Sequence, residues 1–203
     1  MDNILLWYAT RASGLVALLL LTLVVLLGIL GVLRFGSRSG QRFAVAALHR
    51  NISLVTVAFL AVHITSSVVD TFVEIDWPDA VIPFGSAYRP VWLGLGAAAF
   101  DLLVALIVTS LLRPRISQRL WRRVHWAAYA MWPLALAHSL GTGTDSGGGW
   151  SLALVLGCLG VVLVAAAARL VAGRAAASPD AVSGAEPLPG RPAADRIAAR
   201  QAP

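Results

Sequence analysis

The sequence predicts an all-α membrane protein, a polytopic helical bundle of about five transmembrane helices with a disordered tail. Three observations predict it: apolar residues form long runs, basic residues cluster between alternate runs, and every histidine lies inside one of two runs. Of the 203 residues, 58% are hydrophobic and 13% are charged, whereas a soluble domain is about half apolar and about a quarter charged. The chain therefore has too little polar surface for a soluble fold.

Five apolar runs are each long enough to cross a bilayer, which takes ~20 helical residues for a ~30 Å hydrocarbon core. They occupy residues 12–33, 43–69, 91–112, 121–141 and 150–172. The first run is longer than the apolar stretch of a typical signal peptide, and Asp2 precedes it. We therefore expect the first run to remain as a span.

The arginines predict the orientation of these spans. All sixteen basic residues are arginine, and only Arg11 and Arg89 lie on the less basic side of the bundle. Because basic loops stay in the cytoplasm, we expect the N-terminus outside and the C-terminus inside, which requires an odd number of spans. The net charge of +6 is then a topology signal. No nucleic acid is expected as a partner, since no basic run lies on a soluble domain.

The longest external connection, residues 73–90, contains three prolines that argue against a continuous helix. Its aromatic residues suit the membrane–water interface, and the segment is either a simple connector or a cap over an external site. After residue 174 the chain has almost no large apolar residues. We therefore expect residues 1–174 to form the membrane domain and 175–203 a disordered cytoplasmic tail.

The four histidines are the strongest functional signal. His49 and His63 lie in the second run, and His125 and His138 lie in the fourth. Ionisable side chains within a membrane are costly and usually functional. A rise of about 1.5 Å per residue separates the two members on each helix by about 20 Å. Since both runs start on the arginine-rich side, His49 should lie level with His125, and His63 with His138.

Two imidazoles from facing helices suit the axial positions of a haem, whose porphyrin supplies the other four bonds to iron. A bare zinc ion would require four protein ligands in a tetrahedron. We therefore predict two b-type haems, with His49 and His125 on the inner iron and His63 and His138 on the outer iron.

Arginines close to the inner ligands are candidates for binding the anionic haem propionates. Arg50 follows the first ligand directly, and Arg123 precedes the third by two residues. On the outer side, Arg89 is the nearest cation. Asp101 lies within the third run, where a proton relay, an ion pair and a simple hydrogen bond to a neighbouring helix all remain open.

One geometric difficulty concerns the fourth run. On an ideal helix a step of fourteen residues returns to within about 40° of the same face, but a step of thirteen ends about 140° away. A straight helix would not direct His125 and His138 at the same neighbour. Pro133 lies between them and is predicted to alter the twist.

The pattern His-x13-His on one helix, with His-x12-His two helices later, resembles the ferric reductase-like transmembrane domain. That family includes NADPH oxidases, yeast-type iron reductases and the haem subunit of the bacterial periplasmic methionine sulfoxide reductase. The resemblance covers roughly residues 43–141. Local similarity to bacterial members is found at Trp7–Gly14, Leu48–Asn51 and Arg122–Trp126.

The resemblance implies a membrane oxidoreductase component, in the bilayer of a bacterial cytoplasmic membrane. The inner haem would take electrons, and the outer haem would pass them to ferric iron, oxygen or a periplasmic reductase. Relatives often have six spans, and the oxidases carry a fused flavin and NADPH domain. Here we expect five spans and a tail too short for a dinucleotide fold. FAD and NAD(P)H would act only through a separate flavoprotein, or a quinol would be the donor.

Two alternatives remain open at the level of sequence. The chain could be a non-catalytic, cytochrome b-like anchor or relay subunit of a larger complex, which genomic neighbours would reveal. It could also be a metal permease lined by histidines, which a haem spectrum would eliminate.

Overall fold

The computed structural model describes residues 2–33, 39–143 and 149–177, and all regular structure within these ranges is helical. The predicted all-α membrane bundle is thereby confirmed. The helices are α1 Asp2–Val32, α2 Ser39–Val69, α3 Pro90–Leu111, α4 Gln118–His125, α5 Ala128–Thr142 and α6 Trp150–Ala177, with a short 3₁₀ helix at Trp77–Ala80.

Within the described residues, four helices are each long and apolar enough to cross a membrane. The spans are Ile4–Val32, Gln41–Val69, Pro90–Leu111 and Trp150–Arg174. They correspond to the first, second, third and fifth apolar runs. Large apolar side chains on their outer faces, such as Leu54 and Leu163, are exposed. Such an extensive apolar exterior suits a lipid environment.

The fourth run is not one continuous helix, because Trp126 and Ala127 separate α4 from α5. Helix α5 has 15 residues, fewer than the ~20 of a full span. The N–H of Ala127 donates to the carbonyl three residues back at 2.8 Å, and the N–H of Tyr129 does the same at 3.0 Å. The chain passes from α4 to α5 through a tight 3₁₀ turn, so the expected fifth span is an interrupted helix.

The buried core comes from four helices and contains none of the side chains of α2 within the described residues. Its members are Leu18, Leu21, Val25 and Ile29 of α1, Ala99 and Leu106 of α3, Met131, Trp132 and Leu136 of α5, and Val155, Cys158 and Val162 of α6. Helix α2 packs along α1, whereas α5 packs on α3 and α1. The two helices that carry the histidine pairs are therefore held by different main neighbours.

The chain divides into two compact units, Met1–Ala166 and Ala167–Pro203. All four histidines lie in the first unit. Helix α6 extends to Ala177, three residues beyond the predicted boundary of the membrane domain. The remainder of the predicted tail, 178–203, lies outside the described residues.

Candidate functional site

The structure brings the four histidines together as two pairs. The ring centroids of His49 and His125 are 6.4 Å apart, and those of His63 and His138 are 6.3 Å apart. The ring planes are inclined at 62° and 82°, so neither pair is a parallel stacked contact. One pair, the inner pair, lies near the start of α2 and the other, the outer pair, near its end.

The spacing within each pair suits one metal ion held between two ring nitrogens. With a metal–nitrogen bond of ~2 Å and ~1.1 Å from nitrogen to ring centre, two opposed imidazoles have centroids ~6 Å apart. The described residues assemble no group of three or more histidine, cysteine or acidic side chains. Two opposed imidazoles fit a group that brings its own equatorial ligands, as haem does.

Three of the imidazoles are oriented by backbone carbonyls. The Nδ1 atom of His49 lies 3.1 Å from the carbonyl oxygen of Val24, and that of His63 lies 2.9 Å from that of Thr10. His138 makes the same contact with a carbonyl of α3, at 2.9 Å. A carbonyl can only accept, so Nδ1 carries the proton and donates. The other ring nitrogen, Nε2, keeps its lone pair, which is the tautomer that a metal requires.

Glycines on the facing helices make room for the outer imidazoles. A Cβ on Gly14 would lie 2.8 Å from Cε1 of His63, and a Cβ on Gly96 would lie 2.5 Å from Nδ1 of His138. Either contact is too close for a side chain. At the inner pair, a Cβ on Gly28 would meet His49 at 3.8 Å, which is an ordinary contact. Gly14 and Gly28 are as far apart in sequence as the two histidines of α2, a signal that the sequence analysis missed.

A cavity of about 320 Å³ surrounds the outer pair. Its walls are mainly apolar, with side chains such as Leu18, Phe100 and Met131, and both outer imidazoles line it. Residues from the 73–90 connection also line it, including Asp79 and Tyr88. The mainly apolar lining, with a few polar side chains among it, suits an apolar group that carries polar substituents.

The cation at this cavity is Arg11 and not Arg89. Arg11 is among the lining residues, and its guanidinium carbon lies 4.7 Å from the ring centroid of Trp7. Arg89 is not among them, and its guanidinium donates to the carbonyl of Gly141 at the end of α5. Arg89 therefore ties the connection to α5. In the sequence, Arg11 indicates only the topology, so its place at the cavity could not be predicted.

The inner pair has a different environment. The Trp121 ring stacks on His125 with centroids 4.7 Å apart and planes inclined at 19°. The guanidinium carbon of Arg113 lies 4.6 Å from the Trp121 centroid. The Nδ1 atom of His125 and the Nε1 atom of Trp121 are both buried, and neither has a hydrogen-bond partner among the described residues.

The remaining candidates lie outside the outer cavity. Arg50 and Arg123 are exposed on the helices that carry the inner histidines. Asp101 is exposed on α3 and does not line the outer cavity. A role for Asp101 in proton transfer within that cavity therefore has no geometric support.

A hydrogen bond connects α5 to α1 at a level between the two pairs. The indole N–H of Trp132 donates to the hydroxyl of Thr22 at 3.0 Å, and both side chains are buried. That hydroxyl in turn donates to the carbonyl of Leu18 at 2.8 Å. On α2, Thr56 is 1% exposed and donates to the carbonyl of Ile52. The space between the two sites is therefore filled by packed side chains.

The tight turn between α4 and α5 accounts for how the fourth run aligns its histidines. A 3₁₀ turn advances about 120° per residue, compared with about 100° for an α-helix. The added rotation moves His138 toward the face of His125. The change of twist predicted at Pro133 stays a prediction, since α5 continues through Pro133 and the 3₁₀ turn precedes it.

Comparison with known proteins identifies a family for the chain. Neither the curated proteins nor the solved structures include a significant match. The family model described as ferric reductase like transmembrane component matches residues 13–136, more than half of the chain. The matched range includes three of the four histidines and ends just before His138. The chain therefore belongs to the ferric reductase-like transmembrane component family, as a multi-pass membrane protein of oxidoreductase type.

Proposed function

We propose that the chain is a b-type dihaem component that moves electrons across a bacterial cytoplasmic membrane, from a cytoplasmic donor to an external acceptor. The observation that carries the proposal is the presence of two histidine pairs, with ring centroids 6.4 and 6.3 Å apart. When bound, haem supplies an iron that is reversibly reduced by one electron.

The residues of this chain have two tasks in that function. His49 and His125 would hold the inner haem, and His63 and His138 would hold the outer haem. With two imidazoles assigned to each haem, the proposal includes no substrate site on the iron, and the haems would supply one-electron transfer between donor and acceptor. The backbone carbonyls keep three imidazoles in the correct tautomer. The apolar wall of the outer cavity would keep water away from a group bound between His63 and His138.

The distribution of arginines supports the proposed direction of electron transfer, from the cytoplasmic side to the external side. Five exposed arginines surround the inner pair on the loop before α4 and on α4 itself: Arg113, Arg115, Arg119, Arg122 and Arg123. Such a surface favours the cytoplasmic side and steers an acidic partner toward it. The donor in this proposal is a separate flavoprotein, which brings FAD and NAD(P)H, or a membrane quinol. Arg50 and Arg123 bind the inner propionates.

In this proposal the electron acceptor approaches the bundle at the end that carries the outer pair. Asp79 and Tyr88 line the outer cavity, and they belong to the connection that lies beyond α2. Ferric iron, oxygen and a periplasmic reductase are the acceptors that this arrangement serves. A permease is less well supported, since the described residues contain no cluster of three or more metal ligands.

The first test is a count of haems. The purified protein, produced with added haem, should give a reduced-minus-oxidised spectrum of b-type haem and about two haems per chain in a pyridine haemochrome assay. His63→Ala and His125→Ala should each lose the haem of one pair. Thr109→Val is the control, because the Thr109 hydroxyl donates to carbonyls of its own helix α3 and the residue does not line the outer cavity. A folded protein without haem would contradict the proposal.

The direction of electron transfer is tested in sealed vesicles. With a reduced flavin trapped inside and a membrane-impermeant acceptor such as ferricyanide outside, the acceptor should be reduced only when the protein is present. His63→Ala should abolish this reduction. Reduction at the same rate in vesicles that carry His63→Ala would show that the outer pair is not on the route.

A further inference from the structure

The four imidazoles are not held in the same way. Those of His49, His63 and His138 each donate Nδ1–H to a backbone carbonyl. The Nδ1 atom of His125 has no such partner among the described residues, although it is buried. In place of a carbonyl, His125 has the Trp121 ring stacked on it at 4.7 Å.

The first consequence concerns the strength of His125 as a ligand. An imidazole that donates Nδ1–H to a carbonyl becomes more basic at its other nitrogen and donates more electron density to a metal. More donation favours the oxidised metal. His125 lacks this hydrogen bond, so it is the weakest donor of the four and favours the reduced metal relative to the others.

The second consequence concerns charge. The Arg113 guanidinium is held over the Trp121 ring at 4.6 Å, a cation–π contact that fixes its position. A fixed positive charge stabilises whichever form of a nearby group carries the extra electron. The missing hydrogen bond and the fixed cation therefore act in the same direction.

We propose that Trp121 and Arg113 are positioning residues that hold His125 and raise the reduction potential of the inner haem. This inference rests on the proposed function, because it requires a haem between His49 and His125. It makes the inner site a better electron acceptor for its donor than a site held by two carbonyl-bonded imidazoles would be.

Arg115 provides the matched control. It is exposed on the same loop, and no aromatic ring is found beneath it in the described part of the chain. If Arg113 acts only as a topology signal or through general surface charge, the two arginines should have equal effects on the potential. If Arg113 acts through the Trp121 stack, only Arg113 should matter.

The experiment is an optical redox titration of the haem-loaded protein in nanodiscs, which resolves two one-electron waves. Arg113→Gln should lower one potential, so that the reduced-to-oxidised ratio of that haem at a fixed applied potential falls roughly fivefold, as for a charge ~10 Å away in partly screened surroundings. Arg115→Gln should leave both waves in place. Arg113→Lys, which retains the cation, should restore the wild-type value.

Two variants of Trp121 distinguish an effect of ring stacking on the reduction potential from an effect of misfolding. Trp121→Phe keeps an aromatic ring on His125 and should shift the same wave only slightly, whereas Trp121→Leu removes the stack and should shift it as much as Arg113→Gln.

Two intact waves that do not respond to Arg113→Gln would overturn this inference while leaving the proposed function in place. Equal shifts in both waves, or equal effects of Arg113→Gln and Arg115→Gln, would also overturn it. Absence of haem from the wild-type protein would instead defeat the proposed function.

Discussion

The outer and inner histidine pairs have nearly the same ring separation but are supported by different means. Around the outer pair, both imidazoles donate to backbone carbonyls, and Gly14 and Gly96 let the rings lie against helix backbones. Around the inner pair, one imidazole donates to a carbonyl, and His125 stacks on Trp121.

The difference indicates which features of a site can be changed independently. Backbone carbonyls and glycine contacts are part of the helix packing, so the outer geometry cannot change without moving a helix. A stacked side chain can be replaced with less disturbance of the helices around it. We infer that the outer pair is built for constant geometry, while the properties of the inner pair are set by side chains.

The largest effect that would test this contrast is expected at the glycines. Gly96→Ala places a methyl group 2.5 Å from Nδ1 of His138, and Gly14→Ala places one 2.8 Å from His63. Overpacking costs ~1–3 kcal/mol, so each variant should lose most of the outer haem in a haemochrome assay and retain the inner one.

Gly28→Ala is the matched control, because its methyl group would meet His49 at 3.8 Å without a clash. We expect both haems to remain in this variant. Equal haem loss from Gly28→Ala and Gly14→Ala would show that the two pairs do not differ in this respect.

A smaller effect should distinguish the two outer arginines. If Arg11 binds a propionate at the cavity, Arg11→Gln removes a charge-assisted hydrogen bond of ~1.5 kcal/mol and should weaken retention of the outer haem about tenfold. Transfer of haem to apomyoglobin measures this retention. Arg89→Gln should leave it unchanged, because Arg89 bonds to the Gly141 carbonyl. Faster haem loss from Arg89→Gln than from Arg11→Gln would reverse the assignment.

The smallest effect is expected from substitutions at side chains that lie between the two histidine pairs. Such a substitution should affect both pairs alike. Thr22→Val deprives the Trp132 N–H of its acceptor and should lower the free energy of unfolding by ~1 kcal/mol, seen as a lower midpoint in thermal unfolding. Thr56→Val removes only a bond to a carbonyl of its own helix and should have less than half that effect. The same midpoint for both variants would show that the Trp132 bond contributes nothing.

The axial levels of the site could be predicted from the sequence, because the rise per residue of a helix is nearly constant. That constancy placed His49 level with His125 and His63 level with His138. The rotation of His138 about the helix axis relative to His125 could not be predicted, because each hydrogen bond to the third residue back adds rotation to the chain between them. The bonds at Ala127 and Tyr129 are of this kind, in a stretch where no proline or glycine indicates it.

The residues around the metal positions were harder to find than the ligands. Gly14 and Gly28 repeat the spacing of the histidines on α2, but this signal has meaning only once α1 and α2 are known to be antiparallel neighbours. Arg11 precedes the first apolar run, and its role depends on α1 beginning as early as Asp2. Partners such as these are determined by helix packing, which no single run of sequence specifies.

Helix α2 contributes no side chain to the hydrophobic core of the described residues and packs mainly on α1. The hydrophobic core that α1, α3, α5 and α6 share therefore does not depend on side chains of α2. In the haem-free protein, the amides of α2 should exchange with solvent deuterium faster than those of α5. Such a difference in exchange would identify the side of the bundle that α2 covers as the side that opens most readily to a flat apolar molecule from the lipid.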